Sequence, residues 1–325
     1  MAPSADNLDT VNPSIVGAGQ SVNPPFTDAD SNALGTLGAT GEEWTRPHSN
    51  LWVDAFRRLI RNRLALFGLI IVTAVLPLAW MAIAGFKGKS EVVRTPFQFF
   101  PEVWRFENYQ EILGDGEFVR AMTVTFIGAV IFTLLSLIVN ASAAYAFARL
   151  EFRGKRFFWL FCILPLFIPG FAILLTSFVV VSSLGMLDSM AVLIIPGVAS
   201  AFSMFFIRQF YLGIPIALEE AAMIDGASRW RIFTSIFLPA SGAVFVVIGV
   251  GSFLAYWNAY VWPILTIQNP DLFQIQQYLG NFRQARGNEW GLLMAGSFLS
   301  ALPLLLLVLI FQRYIVNGVR ISGLK

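Results

Sequence analysis

Histidine and cysteine are nearly missing from this chain: one of each occurs, His48 and Cys162, in 325 residues. An internal disulfide is therefore impossible, and no Cys/His metal cluster can be built. Ser/His/Asp and Cys/His catalytic sets fail for the same reason, because His48 lies in a polar N-terminal stretch. Charge is scarce too. Asp, Glu, Lys and Arg make up 13% of the residues, against 56% hydrophobic ones. A soluble domain carries about 25% charged residues, so the composition is that of an integral membrane protein. A net charge of +2 gives no reason to expect nucleic acid as a partner. A phosphate loop is missing as well. Gly88-Lys89-Ser90 looks like the end of one, but the position that requires the first glycine is Ile83.

Residues 1–50 are rich in Ser, Asn, Pro, Gly, Asp and Thr. No signal-peptide core appears among them, and they are expected to form a disordered tail. Beyond residue 50 the chain is mainly apolar. A stretch of about 20 apolar residues crosses a bilayer, and six are present: Leu64–Ala84, Ala121–Ala148, Phe157–Val181, Ala191–Phe210, Ala240–Leu265 and Gly291–Phe311. The expected fold is an all-α integral membrane protein with six transmembrane helices. Pro77, Pro165, Pro169, Pro196 and Pro303 fall inside these spans, where neighbouring helices can satisfy the freed carbonyls.

Lys and Arg orient the spans. With the N-terminus inside, 15 of the 22 basic residues fall on the cytoplasmic side, and Arg57, Arg58, Arg61 and Arg63 abut the first span. Both termini are then cytoplasmic. The expected organisation is a cytoplasmic tail at 1–50, then a first helix and external segment at 51–120. A transmembrane domain follows at 121–313, and a cytoplasmic C-terminal tail at 314–325. Residues 182–189 form a short external turn, and 267–290 an external loop with Pro270, Gly280 and Gly287.

No Asp, Glu, Lys or His lies in the middle of a span. Proton- and ion-driven transporters usually keep an ionisable residue at membrane depth. An ion-coupled secondary transporter remains as the alternative, since carbonyls and hydroxyls alone can hold sodium.

One polar segment interrupts the apolar runs on the cytoplasmic side, at residues 211–239. Pro215 suits the first turn of a helix, and Gly226 supplies a left-handed end to it. Ser228 can cap a second helix through Trp230, Ile232, Phe233 and Ile236. The product is a helix–Gly–helix hairpin. A loop lying on lipid usually displays Lys or Arg, whereas this one carries Glu219, Glu220 and Asp225. Ala221 and Ala222 leave a thin wall that another protein can approach closely.

Glu220-Ala221-Ala222, then Asp225-Gly226-Ala227, then Ile236-Phe237-Leu238-Pro239 resemble the EAA loop of permease subunits in binding-protein-dependent ABC importers. Further residues resemble the carbohydrate branch and its MalG-type maltose permease subunit. They are Phe106-Glu107-Asn108-Tyr109, Ala144-Tyr145-Ala146-Phe147-Ala148-Arg149, Trp290 to Gly296, Leu302-Pro303 and the end of the chain from Arg313.

The resemblance implies a type I ABC importer permease fold in a bacterial or archaeal inner membrane. It implies a second, MalF-like permease, two cytoplasmic ATPase subunits and an external sugar-binding protein as partners, with lipid around the spans. ATP and magnesium belong to the ATPase partner, so no cofactor, metal or catalytic residue is expected in this chain. Glu220, Ala221, Ala222, Asp225, Gly226, Leu238 and Pro239 become the ATPase-coupling residues. Residues 317–325 could insert between the ATPase subunits, and the 267–290 loop would touch the binding protein. Asn140, Tyr145, Tyr256, Trp257, Asn258 and Tyr260 offer the aromatic and polar mix that sugars use, and are the candidate substrate path. Belt and packing roles are the alternative for them. Glycerol phosphate or a polyamine is the alternative cargo.

Overall fold

The computed structural model describes residues 62–287 and 289–322. The expected tail at 1–50 lies outside the described residues. Two contact units divide at Gly68 and Leu69; the first is described only in its last residues, and all packing below belongs to the second.

Helix α1 runs Arg63–Ala84. The segment expected to be external carries a short helix, α2 (Glu107–Gly114). Helix α3 (Gly116–Arg149) has 34 residues. Asp115 caps it, its Oδ1 accepting from the Glu117 and Phe118 amides. At about 1.5 Å per residue α3 is roughly 50 Å long, longer than the ~30 Å hydrocarbon core.

The next three spans depart from the expected uninterrupted helices. The third splits into α4 (Lys155–Ile163) and α5 (Gly170–Ser183), bent by 111°. Pro165 and Pro169 cause the break, since neither can donate to a carbonyl of the preceding turn. The fourth splits into α6 (Met190–Val198) and α7 (Ala201–Gly213), bent by 43°. Ser200 re-caps the chain there, its Oγ accepting from the Ser203 amide at 3.2 Å. The hairpin then gives α8 (Ile216–Ile224) and a single α-turn, α9 (Arg229–Ile232). The fifth span runs as α10 (Gly242–Trp257) and a short α11 (Val261–Thr266).

The loop expected at 267–290 is largely helical: α12 covers Ile275–Arg286. Ile275, Tyr278, Leu279 and Phe282 are buried and follow the i, i+3, i+4, i+7 spacing of one helix face. Finally α13 runs Trp290–Ser322, so the helix continues through the stretch read as a tail from 314.

Helix α3 is the axis of the fold. It packs along α10, α7 and α6, and α10 packs in turn on α13. Two buried clusters sit on it. Near its Gly116 end, Phe118, Ala121 and Ala129 meet Phe253, Trp257, Tyr278 and Leu279. Near its Arg149 end, Ala141, Ala144, Tyr145 and Phe147 meet Ile207, Tyr211, Phe233 and Phe237. Elsewhere apolar residues face outward, among them Phe157, Phe161, Phe167, Phe171 and Leu175, each more than 60% exposed. Such a surface suits lipid or another apolar partner and not water. Among the described residues, α3 and Trp290–Tyr314 of α13 are long and apolar enough to cross a membrane, and up to five spans result if each bent pair counts as one.

Candidate functional site

The hairpin at 215–240 forms for local reasons. Pro215 precedes the first turn of α8, and its carbonyl accepts from the Leu218 amide. At the other end Gly226 takes φ +78°, which an L side chain resists. The Ala227 amide donates to the Ala222 carbonyl at 2.9 Å and the Gly226 amide to Met223 at 3.0 Å. This pair of bonds is the Schellman ending. Ser228 then caps α9, its Oγ accepting from the Arg231 amide at 3.3 Å.

The second helix is shorter than expected. After Ile232 the chain widens into a π-turn over Phe233–Phe237. Pro239 lacks the N–H that would close an α-turn on Ser235, and a turn at Leu238–Ala240 follows. Ser241, fully buried, donates its Oγ proton to the Phe237 carbonyl. The chain bends by 78° before α10 begins. Leu238 and Pro239 are thus the corner between hairpin and span, with Leu238 packed on the second cluster.

Helix α8 has two unlike faces. Ala217, Glu220, Ala221 and Ile224 share one face at helical spacing, and all are exposed. Ile224 is 86% exposed. Asp225 lies beside them, also exposed. The opposite face holds Glu219, 4% exposed, and half-buried Ala222. The outer face therefore offers small side chains, one large apolar one and free carboxylates.

Sequence reasoning missed what holds the inner face. Glu219 Oε1 accepts from Arg229 Nη1, and its Oε2 lies 3.8 Å from Arg149 Nε. Arg149 also donates through Nη2 to the carbonyls of Tyr211, at 2.7 Å, and Ile214. Its guanidinium lies over the Phe237 ring, 5.3 Å from the centroid. Seventy positions separate Arg149 from Glu219, and no periodicity or motif spacing links them.

The candidate path residues fall in three places. Asn140 is buried, and its amide is fully engaged. Nδ2 donates to the Ser136 and Val198 carbonyls and Oδ1 accepts from the Ser200 amide at 2.9 Å, which stitches α3 to the α6–α7 break. Tyr145 belongs to the hairpin end, where its hydroxyl donates to the Arg229 carbonyl at 3.3 Å between Phe233 and Phe237. Tyr256, Trp257, Asn258 and Tyr260 cluster at the far end of α10. Trp257 is fully buried and donates Nε1 to the Ser300 carbonyl at 3.2 Å. Tyr256 lies against Gly128, where any β-carbon would strike its ring. Its edge lines an apolar cavity of about 290 Å³ with Phe132, Ser177, Pro196 and Trp262. Asn258 and Tyr260 are exposed, with the Tyr260 ring close over Gly280.

A second concavity, about 570 Å³, opens near α2 and is lined by Lys87, Trp104, Arg105, Asn108 and Glu289. Gly291 admits its tightest approach. Asn108 Nδ2 donates to the Gly85 and Lys87 carbonyls, and a β-carbon at 291 would strike Lys87 O and Asn108.

The sequence of residues 141–321 matches the family described as binding-protein-dependent transport system inner membrane components. The chain belongs to that family. It is a multi-pass membrane component of a transport system that works with a binding protein, and it has the helical permease fold of ABC importers. Residues 50–85 also match the N-terminal transmembrane domain of oligopeptide transport permease C.

Among curated relatives, the arabinooligosaccharides transport system permease protein AraQ of Halalkalibacterium halodurans is 29% identical, covering 80% of this chain and 94% of its own. The sn-glycerol-3-phosphate transport system permease protein UgpE of Brucella abortus is 30% identical, covering 84% and 96%. The crystal structure of a bacterial ABC transporter involved in the import of the acidic polysaccharide alginate superposes on 90% of this chain and 100% of its own. The TM-score is 0.69 and the identity 20%, which is a likeness of fold.

Proposed function

We propose that this chain is one of two permease subunits of an ATP-driven importer that takes up a sugar or oligosaccharide delivered by an external binding protein. The observation that carries the reading is the two-faced helix α8. It holds Glu219 inward and presents Ala217, Glu220, Ala221 and Ile224 outward, on a hairpin that the rest of the fold leaves uncovered. The small side chains admit another protein's surface, and the Glu220 carboxylate offers that surface a charged anchor. An ATPase subunit is the occupant, one beneath this permease and one beneath a MalF-like second permease. ATP and magnesium are bound there.

The membrane frame follows the basic residues. With α1 counted as the first span and each bent pair as one, the spans number six, and the hairpin and both termini are cytoplasmic in a bacterial or archaeal inner membrane. The Gly116 end of α3, with α2 and α12, then faces the binding protein. Sugar as cargo is supported by AraQ and by Tyr256 and Trp262 on the wall of the 290 Å³ cavity. The likeness to UgpE favours glycerol phosphate as the second reading.

Two measurements test this. Affinity purification of the complex should retain the ATPase subunits, and Glu220→Lys should release them while leaving this chain in the membrane. Retention in Glu220→Lys with undiminished uptake would refute the docking role. Competition of uptake by unlabelled arabino-oligosaccharides or by glycerol 3-phosphate separates the two cargo readings.

A further inference from the structure

We infer that buried Glu219 and Arg149, with half-exposed Arg229, form the mechanical link that carries movement of α8 into α3. This rests on the docking role proposed for the outer face, and concerns what lies behind it. A partner gripping Glu220 and Ala221 moves only the hairpin. The hairpin joins the helical body by one chain connection through Ile214 and another through the bend at Ser241. The first is a short loop, and the second passes through the π-turn over Phe233–Phe237, which meets Tyr145 of α3 through ring contacts.

The inner face supplies a further path. Glu219 is 4% exposed and faces two guanidinium groups. Arg149 is the last residue of α3, with its side chain only 9% exposed. Through Nη2 it also holds the last carbonyl groups of α7 at Tyr211 and Ile214. Arg229 starts α9, and its carbonyl accepts from Tyr145, one turn earlier on α3. Glu219 and Arg149 together therefore tie four elements: α3, α7, α8 and α9. A planar guanidinium with several donors holds such a set in one geometry, which a lysine ammonium does not.

Arg149 Nε makes no hydrogen bond, although it is buried and lies 3.8 Å from Glu219 Oε2. Shortening that gap would complete a two-point Arg–carboxylate contact. The cluster thus has room to tighten when the hairpin is pushed toward α3. Helix α3 then carries the displacement to the opposite cluster, where Phe118 and Ala129 pack against Trp257 and Tyr278.

The test uses the whole complex in nanodiscs and follows hydrogen–deuterium exchange on adding ATP with vanadate. In the unaltered complex, exchange should change both in 216–226 and in 141–149. In Glu219→Gln the ATPase subunits should still co-purify and 216–226 should still respond, but the response in 141–149 should fall at least fivefold. Arg149→Lys, which keeps the charge and loses the fork, should give a partial loss. Equal responses in both segments in Glu219→Gln would overturn the proposal. So would loss of both responses, or failure of both variants to assemble, because the cluster would then serve folding alone. Should the unaltered complex hold no ATPase, the docking reading itself fails, separately from this one.

Discussion

Glu219 and Glu220 are adjacent in the chain and opposite in circumstance. One is enclosed by Arg149 and Arg229 and the other is exposed. Removing Arg149 leaves Glu219 with Arg229 alone and strands the Tyr211 and Ile214 carbonyls, at a cost of about 1–3 kcal/mol for each buried group left unsatisfied. Arg149→Ala should therefore lower the melting temperature of the detergent-solubilised protein clearly, while Glu220→Ala should leave it within about 0.5 kcal/mol of unaltered stability. Scanning fluorimetry decides this, and equal melting of the two variants would count against the assignment of faces. Gly226 makes a second residue-scale case. Its φ of +78° has open space around it, so Gly226→Ala costs only the left-handed strain, about 1–2 kcal/mol. Gly226→Pro also forces φ near −65° and deletes the amide that bonds Met223; it should unseat the hairpin outright. Asn140→Ala strands the Ser200 amide and the Val198 carbonyl, and should destabilise by roughly 1–3 kcal/mol in the same melting assay.

At the scale of elements, local chemistry was legible and distant pairing was not. Pro215, Gly226 and Ser228 each act on their own few residues, so the hairpin could be read in order along the chain. The bend of the third span could not. Hydropathy has no direction, and Pro165 and Pro169 sit among apolar residues whether the helix continues or turns by 111°. The amphipathic face of α12 was present in the spacing Ile275, Tyr278, Leu279, Phe282, yet Pro270, Gly280 and Gly287 read as a loop. What closes the fold there is Asp188, in the turn after α5. Its Oδ1 accepts from the Gln268 amide at 2.5 Å and the Asn269 amide at 2.9 Å. These donors, Gln268 foremost, hold the Asp188 carboxyl below its ordinary range. A lowered value in the fold means a contribution to stability that is complete above the unfolded value of about 4 and is lost as pH falls through the folded value. Asp188→Asn keeps an acceptor oxygen and tolerates the φ of 52°. It should be less stable than the unaltered protein at pH 7, converge with it as pH falls toward 3, and so shed part of the acid sensitivity, read from melting curves across pH 3–7. An unchanged acid profile would show that other carboxylates set it.

On the scale of the whole molecule, α3 joins two clusters about a membrane thickness apart, one beside the hairpin and one beside α12. On the proposed reading, that arrangement lets a chain with almost no charge at membrane depth take part in driven transport, with the energy entering at the hairpin. The decisive measurement is uptake into proteoliposomes containing the full complex, with loaded binding protein outside and ¹⁴C-labelled oligosaccharides as the probe. The account predicts uptake that requires ATP inside, survives collapse of proton and sodium gradients, and is abolished by Gly226→Pro. Uptake that persists without ATP and follows an ion gradient would contradict it.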